Sequence, residues 1–201
     1  MEVPVALIYI HGFISSPQST KAQLLLKAMK ALGRADEYYV PQLAFDPERA
    51  ITLLEAQIQS LLQQVDASRI GLVGSSLGGY YASWLANKYN LKAVLVNPSV
   101  RPYDSLKAYL GEVSNIYTGE KYTFEPHHIE ILKAYDVSEP VSADNFYLLV
   151  QTADEVLDYR QAVEKFSASR CDIQQGGNHG FENFEKMIPS IFQFLDIRTK
   201  R

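Results

Sequence analysis

Short apolar runs alternate along the chain with longer segments whose apolar residues recur at helical spacing. Uninterrupted apolar runs are typical of strands buried on both faces, and the helical repeat is typical of amphipathic helices. The predicted strands are residues 5–10, 38–40, 70–73, 93–96, 146–150 and 171–173. The predicted helices are residues 18–32, 47–65, 79–87, 159–167 and 181–195.

This alternation predicts an α/β fold class, with a mostly parallel sheet of about six strands and helices on both of its faces. Right-handed crossovers between parallel strands bring the loops that follow the strands to one edge of the sheet, the carboxyl edge. Candidate functional residues are therefore expected in those loops.

Residues 98–144 interrupt the alternation, because they contain no strong strand pattern. The segment is rich in proline and tyrosine: Pro98, Pro102, Pro126, Pro140, Tyr103, Tyr109, Tyr117, Tyr122 and Tyr135. Long insertions in compact domains are usually functional, so we expect a cap insertion at about 98–144 that shapes a substrate pocket. The alternative is an irregular excursion packed on the surface. We expect residues 1–201 to form a single domain that includes this cap.

Composition excludes several classes of function. The 19 Lys and Arg residues are scattered, and the net charge is −4, so we expect no nucleic-acid partner. A single cysteine excludes an internal disulfide and a cysteine-rich metal site, and its place beside an apolar strand predicts that Cys171 is buried. No apolar stretch has the length of a membrane span, and the first residues carry no basic segment. We therefore expect a soluble, cytoplasmic protein with no membrane partner.

The sequence Gly74-Ser75-Ser76-Leu77-Gly78 lies between a predicted strand and a predicted helix. A G-x-S-x-G in this context forms a tight turn that exposes the central serine hydroxyl to a histidine and a substrate carbonyl. The spacing favours Ser76 over Ser75, because a motif centred on Ser75 would place Val73 where the first glycine belongs. The alternative is a glycine-rich loop whose serines cap the following helix.

A serine nucleophile needs a histidine base and an orienting carboxylate, which follow it along the chain on this kind of fold. Among four histidines, only His179 follows the last predicted strand. Asp154 follows the strand at 146–150 and is the favoured carboxylate. The alternatives are Glu155, which we expect to point another way, and Asp158, which we expect to cap the next helix.

The remaining histidines have structural interpretations. We expect His11 to hold the loop after the first strand by hydrogen bonds, and His127 and His128 to lie in the cap or on the surface. Next to His11, the backbone amide of Phe13 is a candidate oxyanion donor. The second candidate is the amide of Leu77, which follows the nucleophile and lies at the positive end of a helix.

The chain resembles the YqiA/YcfP-type bacterial esterases, members of the α/β-hydrolase superfamily. The resemblance rests on HGF at 11–13, IGLVGSSLGGYY at 70–81, VNPSVRPY at 96–103, TADEVLDYRQAV at 152–163 and GGNHGF at 176–181. It implies an α/β-hydrolase fold with Ser76 as nucleophile, Asp154 as acid and His179 as base. The HGF loop has one glycine, unlike the HGGG loop of many lipases.

The expected function is therefore that of a serine esterase or thioesterase. The resemblance implies small-molecule carboxylic esters or thioesters as substrates, with fatty acyl-coenzyme A among the candidates, and neither a metal nor an organic cofactor is expected. An amidase or a carbon–carbon bond hydrolase would use the same three side chains. The other alternative is a binding protein that uses the hydrolase fold and its cap to hold a ligand.

Overall fold

The computed structural model describes residues 5–200. The strands are β1 (Ala6–Ile10), β2 (Tyr38–Tyr39), β3 (Ile70–Ser75), β4 (Lys92–Val96), β5 (Gly111–Ser114), β6 (Lys121–Phe124), β7 (Phe146–Gln151) and β8 (Arg170–Gln174). The α-helices are α1 (Thr20–Ala31), α2 (Pro47–Leu62), α3 (Leu77–Tyr89), α4 (Pro102–Ser105), α5 (Pro126–Ala134), α6 (Tyr159–Lys165) and α7 (Ile188–Phe194).

Six strands form one parallel sheet in the order β2-β1-β3-β4-β7-β8. They are the six strands that the apolar runs predict, and the predicted mostly parallel sheet is confirmed. Its central strand β3 pairs with β1 on one side and with β4 on the other. The carboxyl ends of these strands therefore carry the loops that begin at His11, Ser76 and Asn97 to one edge.

The two faces of the sheet support two separate clusters of buried side chains. Along β1, Ile8 and Ile10 belong to the cluster under α2 and α3, whereas Leu7 and Tyr9 belong to the cluster under α1 and α7. This alternation follows from the two-residue repeat of a strand. Burial of each such aliphatic side chain stabilises the fold by about 1.5–3 kcal/mol, so apolar residues are needed on both faces.

The segment at 98–144 differs from its prediction, because it contains an antiparallel hairpin of β5 and β6. Each strand has only four residues, and exposed positions alternate with part-buried ones or, at Phe124, with a buried one. So short an alternation is too weak to be recognised from the sequence. The hairpin lies against the loop after β1: the side-chain amide of Asn115 donates to the carbonyl oxygen of Ser15 at 2.9 Å. The ring of Phe13 packs edge-on against Phe124, with centroids 5.2 Å apart.

Two further predictions are corrected. The single closing helix predicted at 181–195 is instead a 3₁₀ turn, Phe184–Met187, followed by the shorter α7. Phe181 and Asn183 have φ of 63° and 57°, conformations that cannot belong to a helix. Cys171, which was expected to be buried, is exposed because β8 is the edge strand of the sheet.

Candidate active site

Ser76 occupies the sharp turn between β3 and α3, with φ 56° and ψ −122°. A non-glycine residue with positive φ is strained by about 1–3 kcal/mol and persists only when its surroundings hold it. Here the amide of Ser76 donates to the carbonyl oxygen of Val96 at 3.1 Å, and the carbonyl of Ser76 accepts the amide of Ser99 at 3.0 Å. The turn is thus fastened to the end of β4.

The two glycines of the motif allow the backbone to pass close to itself. A Cβ on Gly74 would collide with the backbone of Gly78, and a Cβ on Gly78 would collide with the carbonyl oxygens of Ile10 and His11. These obstacles are backbone atoms, which cannot move without displacing β1 or α3. Glycine is therefore a steric requirement of the turn that presents Ser76.

The structure brings Ser76, His179 and Asp154 together in a hydrogen-bonded line. The Oγ of Ser76 lies 3.0 Å from Nε2 of His179. On the other side of the ring, Nδ1 of His179 lies 2.8 Å and 3.0 Å from the two carboxylate oxygens of Asp154. Because a carboxylate only accepts, Nδ1 carries the proton and Nε2 is free to accept the proton of the serine hydroxyl.

Asp154 is held as a carboxylate by its surroundings. Its side chain is only 2% exposed, and this burial alone would raise the pKa of the carboxyl. The hydrogen bond from His179 and those from the amides of Leu157 and Val156 outweigh burial and lower the pKa below its usual value. A permanent negative charge at this place orients the imidazole and stabilises its protonated form.

Several residues that the sequence did not single out hold the loop that carries His179. The side-chain amide of Asn97 donates to the carbonyl oxygens of Asn178 and His179, at 2.9 Å and 3.1 Å. Gln151 accepts the amide of Asn178 at 3.1 Å through its side-chain oxygen. Asn97 follows β4 and Gln151 ends β7, so the only sequence signal was a polar residue at the carboxyl end of a strand.

Glu155 and Asp158 take positions other than that of the triad acid. The carboxylate of Glu155 accepts the backbone amide of His179 at 3.0 Å. Asp158 caps α6 by accepting the amide of Arg160 at 3.0 Å, as its place before the helix predicted. Of the three candidate carboxylates, Asp154 is the one that contacts the imidazole.

Lys21 adds a positive charge behind the same loop. Its ammonium group donates to the carbonyl oxygen of Gly180 at 2.8 Å. Burial lowers the pKa of Lys21 to about 8, against the opposing attraction of Asp154. The first turn of α1 is therefore tied directly to the histidine loop.

The amide of Phe13 lies in the loop after β1 and the amide of Leu77 lies at the start of α3, and both segments adjoin Ser76. A Cβ on Gly12 would lie 3.2 Å from the Cβ of Ser76, which is closer than most contacts of a Cβ atom. The loop at 11–13 therefore packs directly against the serine. Within residues 5–200, neither amide donates a hydrogen bond. Two free donors beside a serine oxygen are what a developing oxyanion requires.

The other histidines make structural contacts. Nε2 of His11 accepts the amide of Leu43 at 3.2 Å, and its Nδ1 lies 3.0 Å from the carbonyl oxygen of Gly12, so this buried ring fastens the loop as predicted. His128 is buried in the hairpin region, where its Nδ1 accepts the amide of Glu125 at 2.9 Å and completes a cap of α5. His127 is exposed beside Glu125.

A cavity of about 340 Å³ opens beside the loop at 11–13 and the start of α3. Its lining includes Phe13, Leu43, Phe45, Leu77, Tyr81 and Tyr122. Neither Ser76 nor His179 is among its lining residues, whereas Leu77 and Gly12, which adjoin Ser76, are.

Two features that would indicate another kind of function are absent from residues 5–200. No group of three or more His, Cys, Asp or Glu side chains in this range could hold a metal ion. None of the helices described in this range combines the length and the apolar character needed to cross a bilayer.

Comparison with known sequences finds a family that matches residues 6–196 of this chain. It is UPF0227, described as an uncharacterised protein family. A curated relative, the UPF0227 protein YcfP of Salmonella paratyphi A, is 24% identical over 195 residues, which cover 94% of this chain and 97% of the relative.

Comparison with solved structures finds the same fold in hydrolases and esterases. Alpha/beta hydrolase domain-containing protein 10 from mouse superposes with a TM-score of 0.67 at 16% identity, over 95% of this chain and 89% of that one. The esterase domain of a Rhodothermus marinus protein superposes with a TM-score of 0.60 at 17% identity, over 96% of this chain and 86% of that one. The predicted α/β-hydrolase fold is confirmed.

Proposed function

We propose that this chain, which belongs to the UPF0227 family, is a serine hydrolase that cleaves carboxylic ester or thioester bonds through an acyl-enzyme. The predicted YcfP-type family is confirmed by the match at 6–196. The observation that carries the proposal is the line from Ser76 through His179 to Asp154, with distances of 3.0 Å and 2.8 Å. The esterase and hydrolase names of proteins with the same fold support it.

The first half of the reaction acylates the serine. Nε2 of His179 takes the hydroxyl proton of Ser76 as the oxygen attacks the acyl carbonyl. The carbonyl oxygen becomes an oxyanion that accepts hydrogen bonds from the amides of Phe13 and Leu77, each worth about 3 kcal/mol of barrier reduction. The bond to the alcohol or thiol then breaks, and that leaving group takes the proton from His179.

The second half releases the acid. A water molecule gives a proton to Nε2 of His179 and attacks the acyl carbonyl, which again passes through an oxyanion on the two amides. The bond to Ser76 breaks, and its oxygen recovers the proton from His179. Asp154 remains a carboxylate throughout, keeps the proton on Nδ1 and stabilises the imidazolium in each half.

Residues 98–144 act as the cap of this site within a single domain. We assign the cavity of about 340 Å³ to the acyl group and call it the acyl-side cavity. The hairpin of β5 and β6 contributes Asn115 and Tyr122 to it, and the hydrogen bond from Asn115 to Ser15 ties the hairpin to the loop that carries Phe13. The cap thus shapes the space that receives the acyl group of a small-molecule substrate.

A fluorophosphonate probe and a p-nitrophenyl ester test the proposal together. We expect the probe to label the wild-type protein and Ser75→Ala, but not Ser76→Ala. Ser76→Ala is also expected to lower turnover of the ester by about a millionfold, to the background rate. Ser75 is the matched control, because it is the adjacent serine and is 5% exposed.

Two results would contradict the assignment of Ser76 as the nucleophile. Labelling of Ser76→Ala, or retention of most of its ester hydrolysis, would mean that another group is the nucleophile. A wild-type protein that is neither labelled nor active would favour the ligand-binding alternative. Amide and carbon–carbon substrates assayed beside the esters separate the remaining hydrolase classes.

A further inference from the structure

We propose that the acyl-side cavity selects acyl groups that carry an uncharged hydrogen-bonding group, such as a hydroxyl, and that the hydroxyl of Tyr81 binds it. This inference rests on the proposed function and extends it from a bond type to a class of acyl group.

The position of the cavity assigns it to the acyl part of the substrate. Its lining includes Phe13 and Leu77, whose amides are the oxyanion donors, and it does not include His179. The leaving group must depart toward the base that protonates it, so the acyl group extends the other way. At about 340 Å³ the cavity lies near the lower end of ligand sites, which fits a compact acyl group.

Tyr81 is the exception among the buried tyrosines near this site. It is 2% exposed and lines the cavity, and its hydroxyl makes no hydrogen bond to another residue in the range 5–200. The adjacent Tyr80, also buried, donates from its hydroxyl to the carbonyl oxygen of Leu132 at 2.6 Å. The hydroxyl of Tyr81 is not among the fully buried unpaired side-chain oxygens of the described residues, which are those of Ser19, Ser99 and Ser169, so it keeps some accessible surface that a ligand group in the cavity can reach.

The helix sets how far Tyr81 stands from the reacting carbonyl. Tyr81 follows Leu77 by one turn of α3, a rise of about 6 Å along the axis. Side chains of a helix lean toward its N-terminus, which brings the ring of Tyr81 back along the face of Leu77. A hydroxyl a few bonds beyond the ester carbonyl is therefore within reach of Tyr81.

Two other polar side chains of the lining, Asn115 and His11, are already paired. The side-chain amide of Asn115 donates to Ser15, and its oxygen accepts the amides of Tyr117 and Thr118 at 2.9 Å and 3.1 Å. Both ring nitrogens of His11 are likewise engaged. The lining tyrosines Tyr81 and Tyr122 have hydroxyls that make no hydrogen bond to another described residue, and Tyr81 is the more deeply buried of the two.

Charge in and around the cavity favours an uncharged substituent. Burial raises the pKa of Tyr81 well above its usual value, and Asp46 and other tyrosines act in the same direction, so the phenol stays neutral. At the rim, Arg49 and Glu120 are exposed and carry opposite charges. A charged substituent of either sign would lose its hydration next to the buried ring of Tyr81, whereas a neutral hydroxyl would lose less.

The experiment compares p-nitrophenyl esters of straight acyl chains from butanoyl to octanoyl. Each length is used as the plain alkyl ester and with a terminal hydroxyl, carboxylate or ammonium group. We expect kcat/KM for the hydroxyl ester to exceed that of the alkyl ester by roughly five- to tenfold at its best length, which is the effect of one neutral hydrogen bond. The charged esters are expected to be poorer than both.

Three tyrosine-to-phenylalanine variants test whether Tyr81 causes the preference for the hydroxyl ester. Tyr81→Phe is expected to abolish the preference for the hydroxyl ester over the alkyl ester, while circular dichroism verifies that the variant is folded. Tyr80→Phe makes the same chemical change outside the cavity and is expected to keep the preference. Tyr122→Phe removes the other tyrosine hydroxyl of the lining and is also expected to keep it.

Any other outcome would overturn this inference, the assignment to Tyr81 or the proposed function. Hydrolysis that depends on Ser76 but shows no hydroxyl preference, or a preference for a charged group, would overturn this inference and leave the proposed function intact. A preference that survives Tyr81→Phe, or that Tyr122→Phe abolishes, would remove the assignment to Tyr81. Absence of any hydrolysis that depends on Ser76 would overturn both proposals.

Discussion

The carboxylate of Glu155 accepts the backbone amide of His179, 3.0 Å away, while the neighbouring Asp154 accepts the imidazole of the same residue at 2.8 Å. Two consecutive carboxylates thus hold one histidine by its main chain and by its side chain. The first bond limits movement of the loop, and the second orients the ring.

Glu155→Ala is expected to lower kcat by a few-fold with little change in KM, because the ring of His179 would sample orientations away from Ser76. Glu155→Gln keeps an oxygen that can accept the amide and should retain most of the activity. Steady-state kinetics of both variants on one ester measures the difference. Equal losses in both variants would mean that the charge of Glu155, and not its hydrogen bond, supports His179.

Asp154→Asn is expected to reduce kcat by about four orders of magnitude, the effect of the same change in serine proteases. The amide that replaces the carboxylate can donate to Nδ1, which stabilises the wrong tautomer, and it cannot stabilise the imidazolium. Asp158→Asn, four residues on, is the control: it changes a helix cap and should keep turnover near the wild-type value. If the two variants had equal activity, Asp154 would not be the orienting acid.

The sheet and the three side chains of the candidate site could be predicted because they depend on local signals. Apolar runs mark buried strands, and G-x-S-x-G marks a turn whose geometry is set by its own glycines. Chain order then leaves one histidine, His179, after the last strand. Each strand and the turn motif can be recognised from a few consecutive residues.

The rest depends on contacts between distant parts of the chain, which leave little local pattern. Lys21 meets Gly180, and Asn115 meets Ser15, across separations of 159 and 100 residues. The hairpin of β5 and β6 was missed because one of its faces is exposed and its strands are short. The exposure of Cys171 follows from the place of β8 at the sheet edge, which depends on strand order.

Gly78→Ala is expected to destabilise the protein by about 3 kcal/mol or more, because the new methyl group would overlap the carbonyl oxygens of Ile10 and His11. Gly71→Ala is the matched comparison: its Cβ would meet the methyl groups of Leu195 at 3.0 Å and 3.1 Å, and that side chain can move. Urea unfolding of both variants measures the difference. Similar midpoints would show that the turn at Ser76 can relax.

The lowered pKa of Lys21 predicts how the free energy of unfolding depends on pH. Its pKa falls from 10.5 to about 8 in the folded protein, chiefly through burial. Between these two values the folded chain has lost the proton of Lys21 while the unfolded chain retains it. The unfolded state therefore binds more protons, and the contribution of Lys21 to the free energy of unfolding rises with pH across this window.

Lys21→Met should remove that contribution. The free energy of unfolding of the wild-type protein, minus that of the variant, is expected to increase by about 1–3 kcal/mol from pH 8 to pH 10.5 and to stay constant below pH 8. Lys27→Met, on an exposed position of the same helix, should give a flat difference. Urea unfolding across the window measures all three proteins. If the Lys21→Met difference were also flat, the ammonium group would have to be solvated in the folded state, and its contact with the carbonyl of Gly180 would carry no desolvation cost.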